Sequence, residues 1–388
     1  MKISTAWLQL KYEKLRLLVA LGGISFAVVL IFMQLGLRAA LFDSAVALHS
    51  KLQGDIFLVS PRSTALIAMD NFSERRLYQS LAFEEVESVV PIYLGFAQWK
   101  NPQTRNYWRN IYVIGFELGD KVFDLPGVKE NLDKLKIPDV VLFDEASRAE
   151  FGPIVSEFKR QGIVITEIGD RGPSNRRIRV EGLFQLGTSF GADGNLLTSD
   201  LNFLRIFPQR PKGYINLGII KLKPGYDVIK ICEKFKKYYP TDIKVLSKQE
   251  LMEQEKKYWD SSTPIGFIFG FGVVLGIIVG IIIVYQILYS NLSEHLGEYA
   301  TLKAIGYKHS YLLSVVFQES LILAIFGYIP GFVIASGMYN VAKNATLLPV
   351  AMELTRALFV LVLTFLMCFS SGAIAVRKLQ EADPADIF

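Results

Sequence analysis

The sequence predicts an α-helical membrane protein with four transmembrane helices and an α+β extracytoplasmic domain on a helical stalk. Hydrophobic residues make up 51% of the 388 residues, charged residues only 20%, and the mean hydropathy is +0.31. This balance is more apolar than that of ordinary soluble proteins. Four apolar runs are each long enough to cross about 30 Å of hydrocarbon. The stretch between the first two runs has the composition of a folded domain.

The chain is predicted to enter the membrane close to its N-terminus. Residues 1–14 form an amphipathic cytoplasmic helix, and residues 15–37 form the first span. At 1.5 Å per residue this run reaches about 34 Å. Residues 15–37 are also more numerous than the apolar core of about 7–15 residues in a signal peptide, so we interpret the run as an uncleaved anchor. The basic residues Lys11, Lys14 and Arg16 place the N-terminus in the cytoplasm.

Two helical segments at the ends of the extracytoplasmic domain, residues 38–263, are predicted to form the stalk. After the first span, apolar residues recur at spacings of four, three and four, as on one face of a helix. The partner helix is predicted over residues 248–259, just before the second span. The residues on these two faces are Leu41, Ala45, Leu48 and Leu52, and Leu251, Gln254, Glu255 and Tyr258.

The rest of this domain reads as strands with fewer helices. Runs rich in β-branched and aromatic residues, bounded by turn residues, predict strands at 55–60, 87–98, 107–117, 140–143, 163–168, 177–184 and 242–246. Helices are predicted at 71–81, 144–150 and 226–238, the last of them within a β-α-β unit over residues 214–246. The first and last thirds are predicted to form one α+β subdomain, with residues 121–210 inserted as a second, mostly β piece.

The second span, residues 264–290, carries glycines four residues apart at Gly272, Gly276 and Gly280. Such a stripe predicts close packing between transmembrane helices. Two interpretations remain open: an interface that slides or dimerises, and a static contact within one chain.

The third and fourth spans complete the membrane part. They are predicted over residues 311–340 and 354–376, with residues 341–353 as an external loop between them. The tail, residues 377–388, begins with Arg377 and Lys378 and is predicted to be cytoplasmic.

Residues 291–310 are predicted to form a cytoplasmic coupling helix and loop between spans two and three. Asn291 followed by Glu294 is typical of an N-cap with its capping-box partner, and Gly306 ends the helix. Apolar residues recur along it at helical spacing.

Glu319 is the one acidic residue predicted inside an apolar run of the third span. An acidic group deep in the membrane costs about 2.5 to 3.5 kcal/mol and usually marks function. Alternatively, a short interfacial segment before Glu319 would place it near the membrane surface, because the run is long for about 30 Å of hydrocarbon.

Charge and motif content exclude several functions. The formal net charge of +5 is modest for this length, so we expect no nucleic-acid-binding surface. The histidines His49, His295 and His309 are too scattered to suggest a metal site. No GxxxxGK[ST] motif occurs, so we expect that the chain is not an enzyme and cannot hydrolyse ATP alone.

A resemblance becomes specific from the second span onward. Three segments carry it: Glu298-Tyr-Ala-Thr-Leu-Lys-Ala-Ile-Gly306, Gln318-Glu-Ser320, and Arg377-Lys-Leu with Asp383-Pro-Ala385. This pattern resembles the FtsX/MacB-type ABC exporter permease family over residues 264–388. The absence of a fused ATPase domain, the length, and segments such as Gly213-Tyr-Ile-Asn-Leu-Gly and Lys256-Lys-Tyr-Trp look most similar to DevC-like permeases.

The resemblance implies a porter-like subdomain and, over residues 121–210, a sabre-like one. It also implies mechanotransmission, in which closure of an ATPase dimer pushes the 291–303 helices, the spans shift, and the stalks drive the outer domains together. ATP and Mg would then be bound by the partner ATPase, with no cofactor in this chain. The residues predicted to couple to the ATPase are Asn291, Glu294, His295, Glu298, Tyr299, Leu302 and Lys303.

The function implied is that of the permease subunit of an ATP-driven tripartite exporter in the bacterial inner membrane, with a glycolipid or other amphiphile as cargo. The implied partners are an ABC ATPase subunit dimer, a membrane fusion (periplasmic adaptor) protein, a TolC-like outer-membrane channel reached through that adaptor, membrane lipid, and a second copy of the chain. The alternative is an FtsX-like regulatory scaffold that activates a cell-wall hydrolase. The large outer domain favours the exporter.

Overall fold

The computed structural model describes residues 14–104, 106–119, 122–169, 175–294, 297, 305 and 309–381. These residues divide into two compact units. The helical unit holds the described residues up to Ala40, residues 264–346 and residues from 350 onward, and the α/β unit holds residues 41–263 and 347–349. Residues 1–13 of the predicted N-terminal amphipathic helix lie outside the described residues.

The helices are numbered here in chain order. They are α1 Lys14–Ala45, α2 Ala47–Lys51, α3 Glu74–Gln79, α4 Ile154–Gln161, α5 Asp200–Ile206, α6 Val228–Tyr238, α7 Lys248–Ser261, α8 Pro264–Glu294, α9 His309–Thr346 and α10 Leu354–Glu381. Short 3-10 turns occur at Leu66–Ala68, Ser80–Ala82, Lys129–Lys136 and Ala149–Phe151.

Four helices in the described part of the chain are long and apolar enough to cross a membrane. Their apolar stretches are Lys14–Ala45, Pro264–Glu294, Ser314–Thr346 and Leu354–Arg377. Each contains at least 24 residues, whereas about 20 span the hydrocarbon core. The first two predicted spans end at residues 37 and 290. Helix α1 continues beyond the first of these positions to Ala45, and α8 continues beyond the second to Glu294.

The described part of the α/β unit contains eleven strands, of which nine form one sheet and two pair separately. The strands are β1 Ile56–Val59, β2 Phe72–Ser73, β3 Val86–Lys100, β4 Trp108–Phe116, β5 Val140–Asp144, β6 Val164–Gly169, β7 Arg176–Phe184, β8 Asn195–Ser199, β9 Tyr214–Ile215, β10 Leu217–Leu222 and β11 Lys244–Ser247. Their order in the sheet is β11-β1-β10-β3-β4-β8-β5-β7-β6, while β2 and β9 pair separately.

The sheet closes on itself through β3. Strand β6 is last in the order, yet it also pairs with β3 at Gln98 and Trp99. Strands β3, β4, β8, β5, β7 and β6 therefore form a ring, and β11, β1 and β10 extend from β3 as an open sheet. The segment predicted as a separate inserted piece, residues 121–210, contributes β5 to β8 to this ring and depends on β3 and β4 to close it.

Strand β1 is buried on both of its faces. Successive side chains of a strand point to opposite faces of the sheet. In β1, Ile56 and Leu58 belong to one hydrophobic core, while Phe57 and Val59 belong to the other. All four are completely buried. This explains why β1 reads as a continuous apolar run in the sequence and not as an alternating one.

The predicted helix over residues 144–150 is wrong. Asp144 ends strand β5 and is fully buried, and its carboxylate accepts hydrogen bonds from the backbone N–H groups of Leu186 and Gly187 (both 3.0 Å) and from Asn195 Nδ2 (2.8 Å). These partners are more than 40 residues away in sequence, so local propensity could not reveal them. Strand β8 and helices α4 and α5 were not predicted at all.

The predicted stalk helices are present within the α/β unit. Helix α7 begins with a capping box between Ser247 and Glu250. Its Lys248 Nζ donates to the carbonyls of Ser50 (2.8 Å) and Leu52 (2.9 Å), at the C-terminal end of α2. A cation at that position is favourable because the last carbonyls of a helix have no partner within the helix.

Candidate functional site in the helical unit

The start of α1 and the end of α8 are joined by an ion pair. Nη1 and Nη2 of Arg16 donate to the two carboxylate oxygens of Glu294, so the contact is bidentate. Each side chain is 45% exposed. A bidentate Arg–carboxylate contact fixes orientation as well as distance, so it defines how these two helix ends meet.

One turn earlier in α8, Asn291 contacts the third apolar helix. Its Nδ2 donates to Glu319 Oε1 of α9 over 3.2 Å. Asn291 is 7% exposed and Glu319 is 2% exposed, so the hydrogen bond is shielded from solvent within the protein. Burial of a carboxylate requires such a partner, because an unsatisfied polar group in an apolar environment is costly.

Helix α10 approaches α9 next to Glu319. Ser320 is fully buried, and its hydroxyl donates to the Val316 carbonyl over 2.9 Å. A Cβ on Gly372 would lie 2.6 Å from Ser320 Oγ, which is closer than packed atoms allow. Glycine at position 372 is therefore what lets α10 come this near. We name the group Arg16, Asn291, Glu294, Glu319 and Ser320 the polar cluster.

Asn291 is not the N-cap that the sequence predicts. Helix α8 runs without a break from Pro264 to Glu294, which places Asn291 inside it. The apolar run and the predicted coupling segment thus share one helix up to Glu294. An N-cap residue has non-helical backbone angles and accepts through its side-chain oxygen, whereas Asn291 lies inside a continuous helix and its Nδ2 donates to Glu319.

The predicted coupling residues are only partly described. Asn291 and Glu294 belong to the polar cluster, whereas His295, Glu298, Tyr299, Leu302 and Lys303 lie outside the described residues. Glu319, whose depth the sequence left open, lies about 15 Å along α9 from its first residue at 1.5 Å per residue. Its side chain is 2% exposed, and its carboxyl group accepts the hydrogen bond from Asn291.

The three glycines of α8 face other helices of the same chain. A Cβ on Gly272 would meet the Gln34 side chain, one on Gly276 would lie 3.0 Å from Ile31 Cγ1, and one on Gly280 would meet Met367. Gln34 and Ile31 belong to α1 and Met367 belongs to α10. These contacts lie within one chain, and both interpretations of the glycine stripe stay predictions.

The role of Arg16 was missed in part. The sequence analysis used its charge only to predict the orientation of the first span in the membrane. A basic residue at the start of an apolar run also needs a partner. Ser371 of α10 was missed entirely; its hydroxyl donates to the Ile281 carbonyl of α8 over 3.0 Å. The signal would have been a hydroxyl residue inside an apolar run, which often bonds across helices.

Metal chemistry has no described site in this chain. In the part of the chain that the structure describes, no three His, Cys, Asp or Glu side chains are grouped to hold an ion. The arrangement instead offers a bidentate ion pair and a buried amide–carboxyl contact at one end of four apolar helices. Such contacts fix the positions of the helix ends relative to one another, and they would have to break or rearrange if one helix moved.

Residues 270–384, which include most of α8 and all of α9 and α10, match the family model for the FtsX-like permease C-terminal domain. The C-terminal part of the chain is similar to FtsX-like permeases. Arg16 lies outside the matched region, while Asn291, Glu294 and Glu319 lie within it. The comparison with curated proteins found no match to this chain.

Two solved structures are similar to part of this chain. The periplasmic region of MacB from Actinobacillus actinomycetemcomitans is 11% identical with a TM-score of 0.34, covering 52% of this chain and 92% of that one. The extracellular domain of the noncanonic ABC-type transporter YknZ from Gram-positive bacteria is 13% identical with a TM-score of 0.32, covering 50% of this chain and 100% of that one.

Proposed function

We propose that this chain is the membrane subunit of an ATP-driven tripartite exporter that works by mechanotransmission. The observation that carries the proposal is the FtsX-like match over residues 270–384. It includes α8 from residue 270 onward, and this helix is continuous from Pro264 to Glu294. The nucleotide-binding motif absent from the sequence is supplied by a separate ABC ATPase dimer, which binds ATP and Mg, and this chain holds no cofactor.

The proposed orientation puts both termini and the segment after Glu294 in the cytoplasm, and the α/β unit outside the bacterial inner membrane. Lys11, Lys14 and Arg16 on one side of the first span, and Arg377 and Lys378 after the last, support it. The polar cluster then lies at the cytoplasmic end of the helices, next to the segment that the ATPase contacts.

Transmission is proposed to follow α8. A helix moves as a rigid element, so a displacement at Glu294 is carried along α8 past the glycine positions toward Pro264. Only residues 262 and 263 separate α8 from α7, whose Lys248 holds the end of α2. The ATPase stroke therefore has a continuous covalent path into the stalk helices of the α/β unit.

The proposed partners are those of a DevC-like permease. They are the ATPase dimer, a membrane fusion protein on the α/β unit, a TolC-like channel reached through that protein, and a second copy of this chain. The cargo is an amphiphile such as a glycolipid, which reaches the partner tube from the outer compartment or outer leaflet. Membrane lipid surrounds the helices.

The test is the double variant Glu298→Ala with Leu302→Ala, reconstituted in vesicles with the copurified ATPase. We expect a protein that inserts normally and hydrolyses ATP through its partner but no longer exports in proportion to hydrolysis. The matched control, Glu130→Ala with Ile137→Ala, removes an exposed acid and an exposed aliphatic side chain from the α/β unit. It should export at the unmodified rate.

Unchanged export in the first double variant would contradict the coupling role. A pull-down from membranes separates the exporter from the regulatory scaffold. Recovery of an ABC ATPase with a membrane fusion protein supports the exporter. Recovery of a cell-wall hydrolase without any fusion protein or outer channel would favour the scaffold instead.

A further inference from the structure

Strand β3 has a gap in its hydrogen-bond ladder. On the side away from β4, it pairs with β10 as far as Ile92 and with β6 only at Gln98 and Trp99. Residues 93–97 between these points have no described strand partner on that side, although their pairing with β4 is regular. This gap is where the closed ring and the open part of the sheet separate.

Side chains satisfy part of the exposed ladder. The Leu94 N–H donates to Asn216 Oδ1 over 2.8 Å, and the Leu94 carbonyl accepts from Arg210 Nη1 over 3.0 Å. Backbone groups of alternate residues in a strand point to the same side. The N–H and carbonyl of Phe96 therefore face the gap as those of Leu94 do.

A cleft of about 490 Å³ lies over this gap. That volume is in the usual range for sites of small ligands. Much of its lining is apolar, including Met69, Leu94, Phe96, Ile206 and Phe207. Phe96 is 37% exposed, which is unusual for a phenylalanine in the middle of a central strand.

Arg210 also lines this cleft, and its charge has no counter-ion among the described residues. Its guanidinium bonds to the Leu94 carbonyl and to Asn216, and it lies 5.3 Å from the centre of the Phe203 ring. Asp70 is the acidic residue in the described lining, and it lies 4.0 Å from Arg62, to which it pairs. The Arg210 side chain is partly buried, and this burial lowers its pKa.

We propose that this cleft binds an amphiphile with one acidic headgroup, a carboxylate or a phosphate. The apolar chain lies against the side chains of Phe96 and Phe207, which are not fully buried, and the anionic oxygens pair with Arg210. Arginine suits this role because its planar guanidinium recognises carboxylate and phosphate groups alike. The Phe96 N–H, on the same side of the strand, is a further donor.

Ligand binding in this cleft does not depend on the proposed export function. It requires only residues of the α/β unit and implies no direction of movement for the ligand. Failure of the binding test would leave ATP-driven coupling through α8 untouched. Failure of the coupling test would leave the cleft and its ligand class unchanged.

The test is isothermal titration of the full chain in phosphatidylcholine nanodiscs, with the heat of empty nanodiscs subtracted. The probes are octanoate, octyl phosphate, octanol and acetate. We expect at least one of the two acids to bind once per chain, about tenfold or more tighter than octanol. Acetate, which lacks the chain, should not saturate the site. The tighter acid identifies the headgroup.

The decisive variant is Arg210→Gln, which should weaken acid binding by about tenfold or more and leave octanol unchanged. The control Arg205→Gln removes a nearby arginine of α5 that bonds to Asn202 outside the cleft. It should bind both acids as the unmodified chain does. An equal loss in both variants would overturn the proposal, because the effect would then be one of general charge.

Two further results would also overturn it: acids that bind no tighter than octanol, or a folded Arg210→Gln variant that binds acids normally. If Arg210→Gln does not unfold cooperatively and is therefore not folded, the binding of the acids to the Gln209→Glu variant tests the proposal instead. Gln209 lines the cleft and is exposed, so a carboxylate there repels an anion without disturbing the core. Weaker binding of the acids with unchanged octanol binding supports the site, and unchanged acid binding overturns it.

Discussion

The side-chain amide of Asn291 donates a hydrogen bond to the carboxyl group of Glu319 over 3.2 Å, and both side chains are buried in the helical unit. The contact joins the end of α8 to α9 next to the bidentate pair of Arg16 and Glu294. It gives the buried acid a specific partner. The consequences of removing that partner can be measured directly.

We expect Asn291→Leu to lower the free energy of unfolding by about 1–3 kcal/mol, because Glu319 is left buried without this donor. Asn291→Leu with Glu319→Leu should recover most of the loss, since both partners are then apolar. Chemical denaturation of the solubilised protein measures the complete double-mutant cycle. Simple addition of the two single losses would show that the side chains do not interact.

The Arg16–Glu294 pair should matter more for coupling than for stability. Both side chains are half-exposed, so Arg16→Glu should change the free energy of unfolding by no more than about 1 kcal/mol. In vesicles with the ATPase, that variant should lower the export obtained per ATP hydrolysed. The exchange Arg16→Glu with Glu294→Arg should restore it, because the pair re-forms with reversed polarity. A reversed pair that exports no better than the single variant would argue against this role.

The glycine positions of α8 should differ in their tolerance of a side chain. A Cβ on Gly276 would lie 3.0 Å from Ile31 Cγ1 and 3.7 Å from the Ala27 carbonyl oxygen, whereas nothing lies within 4 Å of one on Gly270. Gly276→Leu should therefore lower the unfolding free energy by about 1–3 kcal/mol through overpacking. Gly270→Leu, on the same helix, is the control and should be nearly neutral. Equal effects in thermal unfolding would rule out the close approach of α1 and α8.

A buried pair of titratable groups lies between the stalk helices α2 and α7. His49 Nε2 is 3.8 Å from Glu255 Oε2, and the side chains are 0% and 3% exposed. Burial lowers the pKa of His49 to about 4. Burial also raises the pKa of Glu255 to about 7, opposed by hydrogen bonds from the Trp259 indole (2.9 Å) and the Leu66 N–H (2.7 Å).

These shifts act on stability in opposite directions. Between pH 6.5 and about 4, unfolded His49 binds a proton that folded His49 does not, so its contribution is lost as the pH falls. Between pH 4.5 and about 7, folded Glu255 keeps a proton that the unfolded group releases, so its contribution is lost as the pH rises. In the unmodified chain the two slopes partly cancel.

We therefore expect Glu255→Gln to lose stability more steeply than the unmodified chain when the pH falls from about 6.5 toward 5, because only the His49 slope remains. Denaturant titrations at several pH values measure this slope. Glu253→Gln changes an exposed glutamate of the same helix and should keep the original pH dependence. A Glu255→Gln variant with the original pH dependence would show that Glu255 does not hold a proton in the folded state.

Much of the architecture could be predicted from local sequence. The apolar runs predicted the four long helices, because length and hydropathy alone decide whether a helix can cross a membrane. Period-two patterns and turn residues located β3, β4 and β7 to within one or two residues. The FtsX-like segment, confirmed over residues 270–384, also came from contiguous motifs.

Only the tertiary structure decided what the polar residues contact. The pairs Arg16–Glu294 and Asn291–Glu319 are 278 and 28 residues apart, and Asp144 is bound by residues more than 40 positions away. Likewise, the closure of the ring through β3 and the cleft at its gap depend on which strands meet. Sequence patterns record the solvent or lipid that each residue faces. They do not record which distant partner satisfies a buried charge, because that depends on how the elements pack.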